Sequence, residues 1–155
     1  MGLMKNAKDW FLSMRTFQRE SGFTLVEIMI VVAIIGLLAA LIASNVLHAR
    51  IAANENSVKQ TLRTITNACE TFRTAQPMPQ TYPADLTALG NAVPPYIDAM
   101  LAAGIRYGYN FVLAGAQNTY TVTATPVDAF SGIHIYYTDQ TGVIREGGAG
   151  GNPVA

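Results

Sequence analysis

Cysteine is almost absent from this 155-residue chain. Cys69 stands alone, which excludes an internal disulfide framework and any zinc or iron–sulfur site built on cysteines. Histidine is nearly as scarce: His48 and His134, far apart in sequence, do not make a histidine-rich metal centre. Charged residues are only 13% of the chain, and ten basic side chains balance ten acidic ones. No overall field draws in nucleic acid, and no such partner is expected. Proline is missing from Phe23 to Gln76. What the chain does have is apolar content, 50% hydrophobic residues with a mean hydropathy of +0.25, too much for a disordered chain. Its length suits one domain, or a small domain with an appendage.

The apolar residues are concentrated near the N-terminus. Ile28 to Leu47 reads IMIVVAIIGLLAALIASNVL, twenty residues without a formal charge. As a helix this run is about 30 Å long, the thickness of a bilayer's hydrocarbon core. It shows no polar face. A cleaved secretory signal has an apolar core of only about 7–15 residues and a small-residue cleavage site. This run is longer and lacks a clean site of that kind, so a retained single-pass anchor is expected. Lys5, Lys8, Arg15 and Arg19 precede it, opposed by Asp9 and Glu20, whereas only His48 and Arg50 follow before Glu55. That asymmetry favours a cytoplasmic N-terminus.

Glu27 does not fit a plain anchor. It lies in Phe23-Thr24-Leu25-Val26-Glu27-Ile28, at the edge of the apolar run. A carboxylate at mid-bilayer costs about 2.5–3.5 kcal/mol, less near the interface, and intramembrane ionisable groups usually mark function. One reading is a glutamate that snorkels to the headgroups; the other is an acid whose partner charge comes from another chain.

Ser21-Gly22-Phe23-Thr24-Leu25-Val26-Glu27, followed at once by the apolar run, resembles the class III signal of type IV pilins and type II secretion pseudopilins. The resemblance implies that a prepilin peptidase cuts between Gly22 and Phe23, that the new amino terminus on Phe23 is methylated, and that Glu27 is the acidic residue used in assembly. It covers about the first 30 residues of the mature chain. The physical logic stands beside it. Cleavage exposes an α-amino group next to an apolar helix, and inside a low-dielectric bundle that ammonium and a neighbour's Glu27 neutralise each other. Each charge alone is costly there, so the pair favours docking and sets axial register. Methylation keeps the positive charge.

Two features depart from many members. The proline common near the middle of this helix, ahead of Asn-Val, is replaced by Ser44 in Ser44-Asn45-Val46, leaving Gly36 as the weak spot. The 22-residue leader is long, and Met14 offers an internal start that would shorten it; both starts stay open.

Beyond the anchor, Val58, Leu62, Ile65, Cys69 and Phe72 recur at steps of 4, 3, 4 and 3, one stripe of a helix. The expected helix therefore continues to about Thr74, with an apolar first half and an amphipathic second half. Gln76–Pro83 is a proline-dense break. Short helices are expected at Ala84–Leu89 and Pro95–Ala103. Strands are expected at Ile105–Leu113, Thr119–Thr125 and Ile133–Thr138, with a short fourth at Val143–Arg145. The fold class is α+β: a long N-terminal helix packed on a small antiparallel sheet of three to four strands, as in pilins. The divisions are a leader at 1–22, a helix at 23–75 with its membrane segment at 28–47, a head at 76–146 and a flexible glycine-rich tail at 147–155. Residues 76–155 are marginal for a core of their own without a disulfide, so the helix stripe has to supply burial.

No acid–base or nucleophile constellation is present, and no catalytic residue, cofactor or metal ligand is assigned. Cys69 reads as core filling, His48 as interfacial and His134 as a half-exposed sheet residue. Tyr107, Tyr109, Tyr120, Tyr136 and Tyr137 read as sheet packing, with a ligand platform as the alternative. Asp128 and Asp139 could bind calcium, but two acids eleven residues apart make a weak site. The expected function is a structural subunit of a type IV pilus or pilus-like secretion filament. The alternatives are a type II secretion pseudopilin and a non-polymerising, membrane-anchored periplasmic binding module. The implied partners are prepilin peptidase, identical or related pilin subunits, an inner-membrane assembly platform and the lipid bilayer. The location is the inner membrane before assembly, then a periplasmic or extracellular filament.

Overall fold

The computed structural model of the chain describes residues 22–154, apart from the side chains of Ala43 and Ser44. The expected leader, with its charges and Met14, lies outside the described residues except for Gly22. Helix α1 spans Leu25–Ala75, with no break at Gly36. It belongs to two compact units, residues 1–42 and 43–155. In the first, the apolar side chains from Ile28 to Ile42 are exposed on every side of the helix. In the second, Val58, Leu62, Ile65 and Cys69 are fully buried and Phe72 packs against the same core. The stripe read from the 4-3-4-3 spacing is the face on which the head is built.

Two short helices follow, α2 at Leu86–Gly90 and α3 at Ala99–Ala102. Both are shorter than expected, because each starts at a capping aspartate. Asp85 accepts from the Ala88 amide at 2.8 Å and Asp98 from the Leu101 amide at 2.7 Å, which leaves Ala84 and Pro95 outside. Leu86, Leu89 and Leu101 enter the core.

The antiparallel sheet has six strands in sequence order: β1 Ile105–Arg106, β2 Tyr109–Gly115, β3 Tyr120–Pro126, β4 Tyr136–Asp139, β5 Arg145–Glu146 and β6 Asn152–Pro153. Three or four were expected, and the differences have physical reasons. The expected strand 105–113 is broken by a two-residue hairpin turn, since Tyr107 and Gly108 both take positive φ, 52° and 73°. That is the pairing a tight turn between β1 and β2 demands, although tyrosine is an uncommon occupant. The expected strand at Ile133 begins only at Tyr136, because the Ile133 and His134 amides are taken by Glu55 instead of the ladder. The glycine-rich end expected as a flexible tail folds back as β6, held by the Val154 amide on the Ile144 carbonyl at 2.8 Å.

Alternation fixes which face meets α1. Tyr109, Phe111 and Leu113 of β2 are buried, as are Tyr120, Val122 and Ala124 of β3 and Tyr136 and Thr138 of β4. The register places Phe111 opposite Ala124 and Leu113 opposite Val122, so large and small side chains alternate across one face. Helix stripe and sheet face form one cluster with Ile97 and Ile144.

Truncating Leu62 to alanine removes a fully buried side chain from the middle of this contact and is expected to destabilise the head by about 2–5 kcal/mol. The exposed neighbour Arg63→Ala is expected to change stability by less than about 0.5 kcal/mol. Urea unfolding of both variants in detergent solution checks the pair; equal effects would contradict the packing described.

Candidate functional site

The N-terminus of α1 is built as a capping box. The sequence Thr24-Leu25-Val26-Glu27 puts a hydroxyl at the N-cap and a carboxylate three residues on. Thr24 Oγ1 accepts from the Glu27 amide at 3.2 Å, and Glu27 Oε2 accepts from the Thr24 amide at 3.3 Å and hydroxyl at 3.2 Å. Among the described residues, the other carboxylate oxygen, Oε1, has no hydrogen bond. The cap satisfies two of the four amides that a helix start leaves unpaired and places negative charge where the helix dipole favours it. Gly22 and Phe23 precede it as exposed chain outside the helix. Sequence reasoning named Gly22, Phe23 and Glu27 but missed the box, although its spacing is legible in any chain that places Thr-x-x-Glu before an apolar run.

The other residues singled out from sequence lie in the head or between it and the apolar run. His48 is exposed. Cys69 is fully buried, and burial, aided by the charge of Glu70, pushes its thiol up to about 12, so the thiolate needed for reactivity is not formed. Tyr109, Tyr120 and Tyr136 point into the core, while Tyr107 occupies the β1–β2 turn and Tyr137 the outer face, so the five tyrosines do not form a ligand platform. Asp128 and Asp139 each close a turn. Asp128 accepts from the Phe130 and Ser131 amides at 2.9 and 2.7 Å, and Asp139 from the Thr141 amide at 2.9 Å. Hydrogen bonds from Ser131 and Thr141 hold the two carboxyls below their ordinary range. Among the described residues, no three His, Cys, Asp or Glu side chains converge as a metal site.

One polar cluster had no signal in the sequence, because its members are far apart in the chain. Glu55 on α1 accepts from the Ile133 amide at 3.0 Å, the His134 amide at 3.3 Å and His134 Nδ1 at 3.0 Å. His134 Nε2 faces Glu146 Oε1 at 3.2 Å. Burial alone would raise the Glu55 pKa, but the two amides and the His134 ring outweigh it and hold the carboxyl below its ordinary value. The cluster ties helix, β3–β4 connection and β5 together, and its role is structural.

Because the folded-state pKa of Glu55 is depressed, its stabilising contribution is complete above the unfolded value and is lost as pH falls through the folded one. Glu55→Gln is expected to cost about 1–3 kcal/mol at neutral pH, and the deficit relative to the unmodified chain shrinks as pH falls from about 5 towards 3. Denaturant midpoints across that range check it, and a deficit independent of pH would contradict it.

Comparisons with curated proteins and with solved structures returned no match for the chain. The described residues do contain one helix long and apolar enough to cross a membrane. Residues 17–43, which span the Gly22–Phe23 bond, the capping box and most of the apolar run, match the family model for the prokaryotic N-terminal methylation motif, the prepilin-type signal typical of type IV pilins and pseudopilins.

Proposed function

We propose that the protein is a structural subunit of a type IV pilus or a pilus-like secretion filament. The observation that carries this reading is the apolar half of α1. Its side chains are exposed all round in a single chain, which requires lipid or other subunits to cover them, and it is preceded by the motif residues Gly22, Phe23 and Glu27. Prepilin peptidase would cut between Gly22 and Phe23 and methylate the Phe23 amino group. The subunit would wait in the inner membrane, its N-terminus cytoplasmic, before an assembly platform extracts it. Proteins with this motif and this α+β plan are generally non-enzymatic.

Cleavage at that bond leaves the capping box intact, since the Thr24 amide and hydroxyl both lie beyond it. Glu27 would then stabilise its own helix through Oε2 and offer Oε1 to the Phe23 ammonium of a neighbour. The pair neutralises two charges that would each be costly in apolar surroundings. A monomeric ligand-binding module has less support, as the buried tyrosines remove the platform it would use.

Intact-mass analysis of the protein from its native host should show a chain beginning at N-methylated Phe23. In cells lacking the peptidase the precursor should keep its leader, and its mass separates a start at Met1 from one at Met14. A chain from peptidase-competent cells that retains its leader, or begins elsewhere, would overturn the proposal.

A further inference from the structure

The head carries a groove of about 700 Å³, formed wholly within the second compact unit. Small-ligand sites have volumes of about 300–1,000 Å³. One side is α1, where Ser57, Gln60, Thr61 and Thr64 share a helix face, an uncharged stripe beside the apolar one. The other side comes from the 95–107 segment and brings Tyr96, Asp98, Arg106 and Tyr107. The buried residues Thr61, Ile97 and Leu101 give it a packed, fixed lining.

The two sides offer opposite hydrogen-bonding chemistry. On α1 three hydroxyl protons are already committed: Ser57 Oγ donates to the Ala53 carbonyl at 2.9 Å, Thr61 Oγ1 to that of Ser57 at 2.8 Å and Thr64 Oγ1 to that of Gln60 at 3.1 Å. These oxygens keep lone pairs, so this side accepts. Arg106 gives one N–H to Asp98 Oδ2 and keeps its others, so the opposing side donates. The second Asp98 oxygen is held by the Leu101 amide at 2.7 Å.

Charge narrows the ligand further. Among the described residues lining the groove, only Asp98 and Arg106 are charged, and they pair. Lys59 and Arg63 line a neighbouring groove that shares Ser57 and Gln60. An ammonium ligand would suit the acceptors but meet three cationic side chains. An anion would meet Asp98 and a row of acceptors. A neutral polyol meets neither obstacle, because each of its hydroxyls both donates and accepts.

Tyr107 adds an independent observation. A bulky side chain at φ 52° is an outlier, in a turn position that asparagine or glycine fills without strain. Such strain gathers at binding sites. Here it accompanies a 45% exposed ring at the groove, with the Arg106 guanidinium carbon 5.2 Å from its centroid. Tyr96 stands edge-on to Phe72 with centroids 5.8 Å apart, which fixes a second ring. Both are separate from the tyrosines buried under the sheet.

We propose that this groove binds a neutral saccharide, its hydroxyls bonded between the α1 oxygens and Arg106 and its apolar face laid against Tyr107. Every residue of the site belongs to the head, so binding does not depend on residues 28–47 spanning a membrane.

The test uses the full chain in a zwitterionic detergent, since a sugar-based detergent would compete. Saturation-transfer NMR is recorded with the methyl glycosides of glucose, galactose, mannose and N-acetylglucosamine, and with digalacturonate as an anionic probe. At least one neutral glycoside should receive saturation. Thr64→Val keeps the shape of the wall but removes an acceptor, and should weaken binding several-fold. Tyr107→Asn should weaken it about tenfold while leaving the thermal midpoint unchanged or raised, because asparagine accepts the turn's backbone. Arg63→Gln, outside the groove, should leave binding as it is. Saturation of none of the neutral glycosides overturns the proposal. So does binding of digalacturonate alone, which would assign the contact to Lys59 and Arg63. A Tyr107→Asn chain that loses stability along with affinity makes the tyrosine a structural residue and likewise overturns its place in the site.

Discussion

Glu27 places a carboxylate at the start of an apolar helix, where an ion without a partner is costly. In the single chain the cost is met locally: Thr24 donates twice to Oε2, and its hydroxyl accepts from the Glu27 amide in return. Under the proposed function, such a residue would enter a membrane without a partner chain and still present an oxygen to one later. The proposed assembly depends on this economy. A glutamate that needed its neighbour in order to be tolerated would obstruct insertion, and one fully satisfied by its own helix would give assembly no register.

The second half of the same helix solves a different problem. The segment after Ala75 is marginal for a core of its own, and Cys69 offers no disulfide. Val58, Leu62, Ile65 and Cys69 complete that core from one side, so the head is built on the stem. Glu55 and Asn54 secure the nearer loops, while Tyr82 is held further along, its hydroxyl donating to Glu70 and accepting from Arg73, both at 2.9 Å. The helix is an exposed apolar span, long enough to cross a membrane, at one end and an inner layer of the head at the other.

Much of this was legible in the residues, because periodicity reports burial directly. The helix stripe, the alternation of Phe111 and Leu113 and that of Tyr120, Val122 and Ala124 each match a buried face. The sheet was underestimated where a local signal was ambiguous or misleading. Tyr107 takes a positive φ that its residue type disfavours, so a turn was hidden inside an alternating pattern. The pairing of β6 depends on contacts beyond its glycines, which read by themselves as flexible chain. At the candidate site, Gly22, Phe23 and Glu27 were named from the motif, whereas the Thr24–Glu27 box was readable but overlooked. The Glu55–His134–Glu146 cluster was not readable at all, because nothing local relates residues 55, 134 and 146 before the chain is folded.

The cap and the assembly charge can be separated chemically, since glutamine serves in a capping box and carries no charge. The most direct measurement is therefore filament formation by Glu27→Gln beside Glu27→Ala, in cells where membrane insertion and leader removal are followed in parallel. If Glu27 pairs with a neighbour's ammonium, both variants insert and are cleaved, and neither polymerises into filaments. Filaments from Glu27→Gln at the level of the unmodified protein would contradict the account and reduce Glu27 to the capping residue of its own helix.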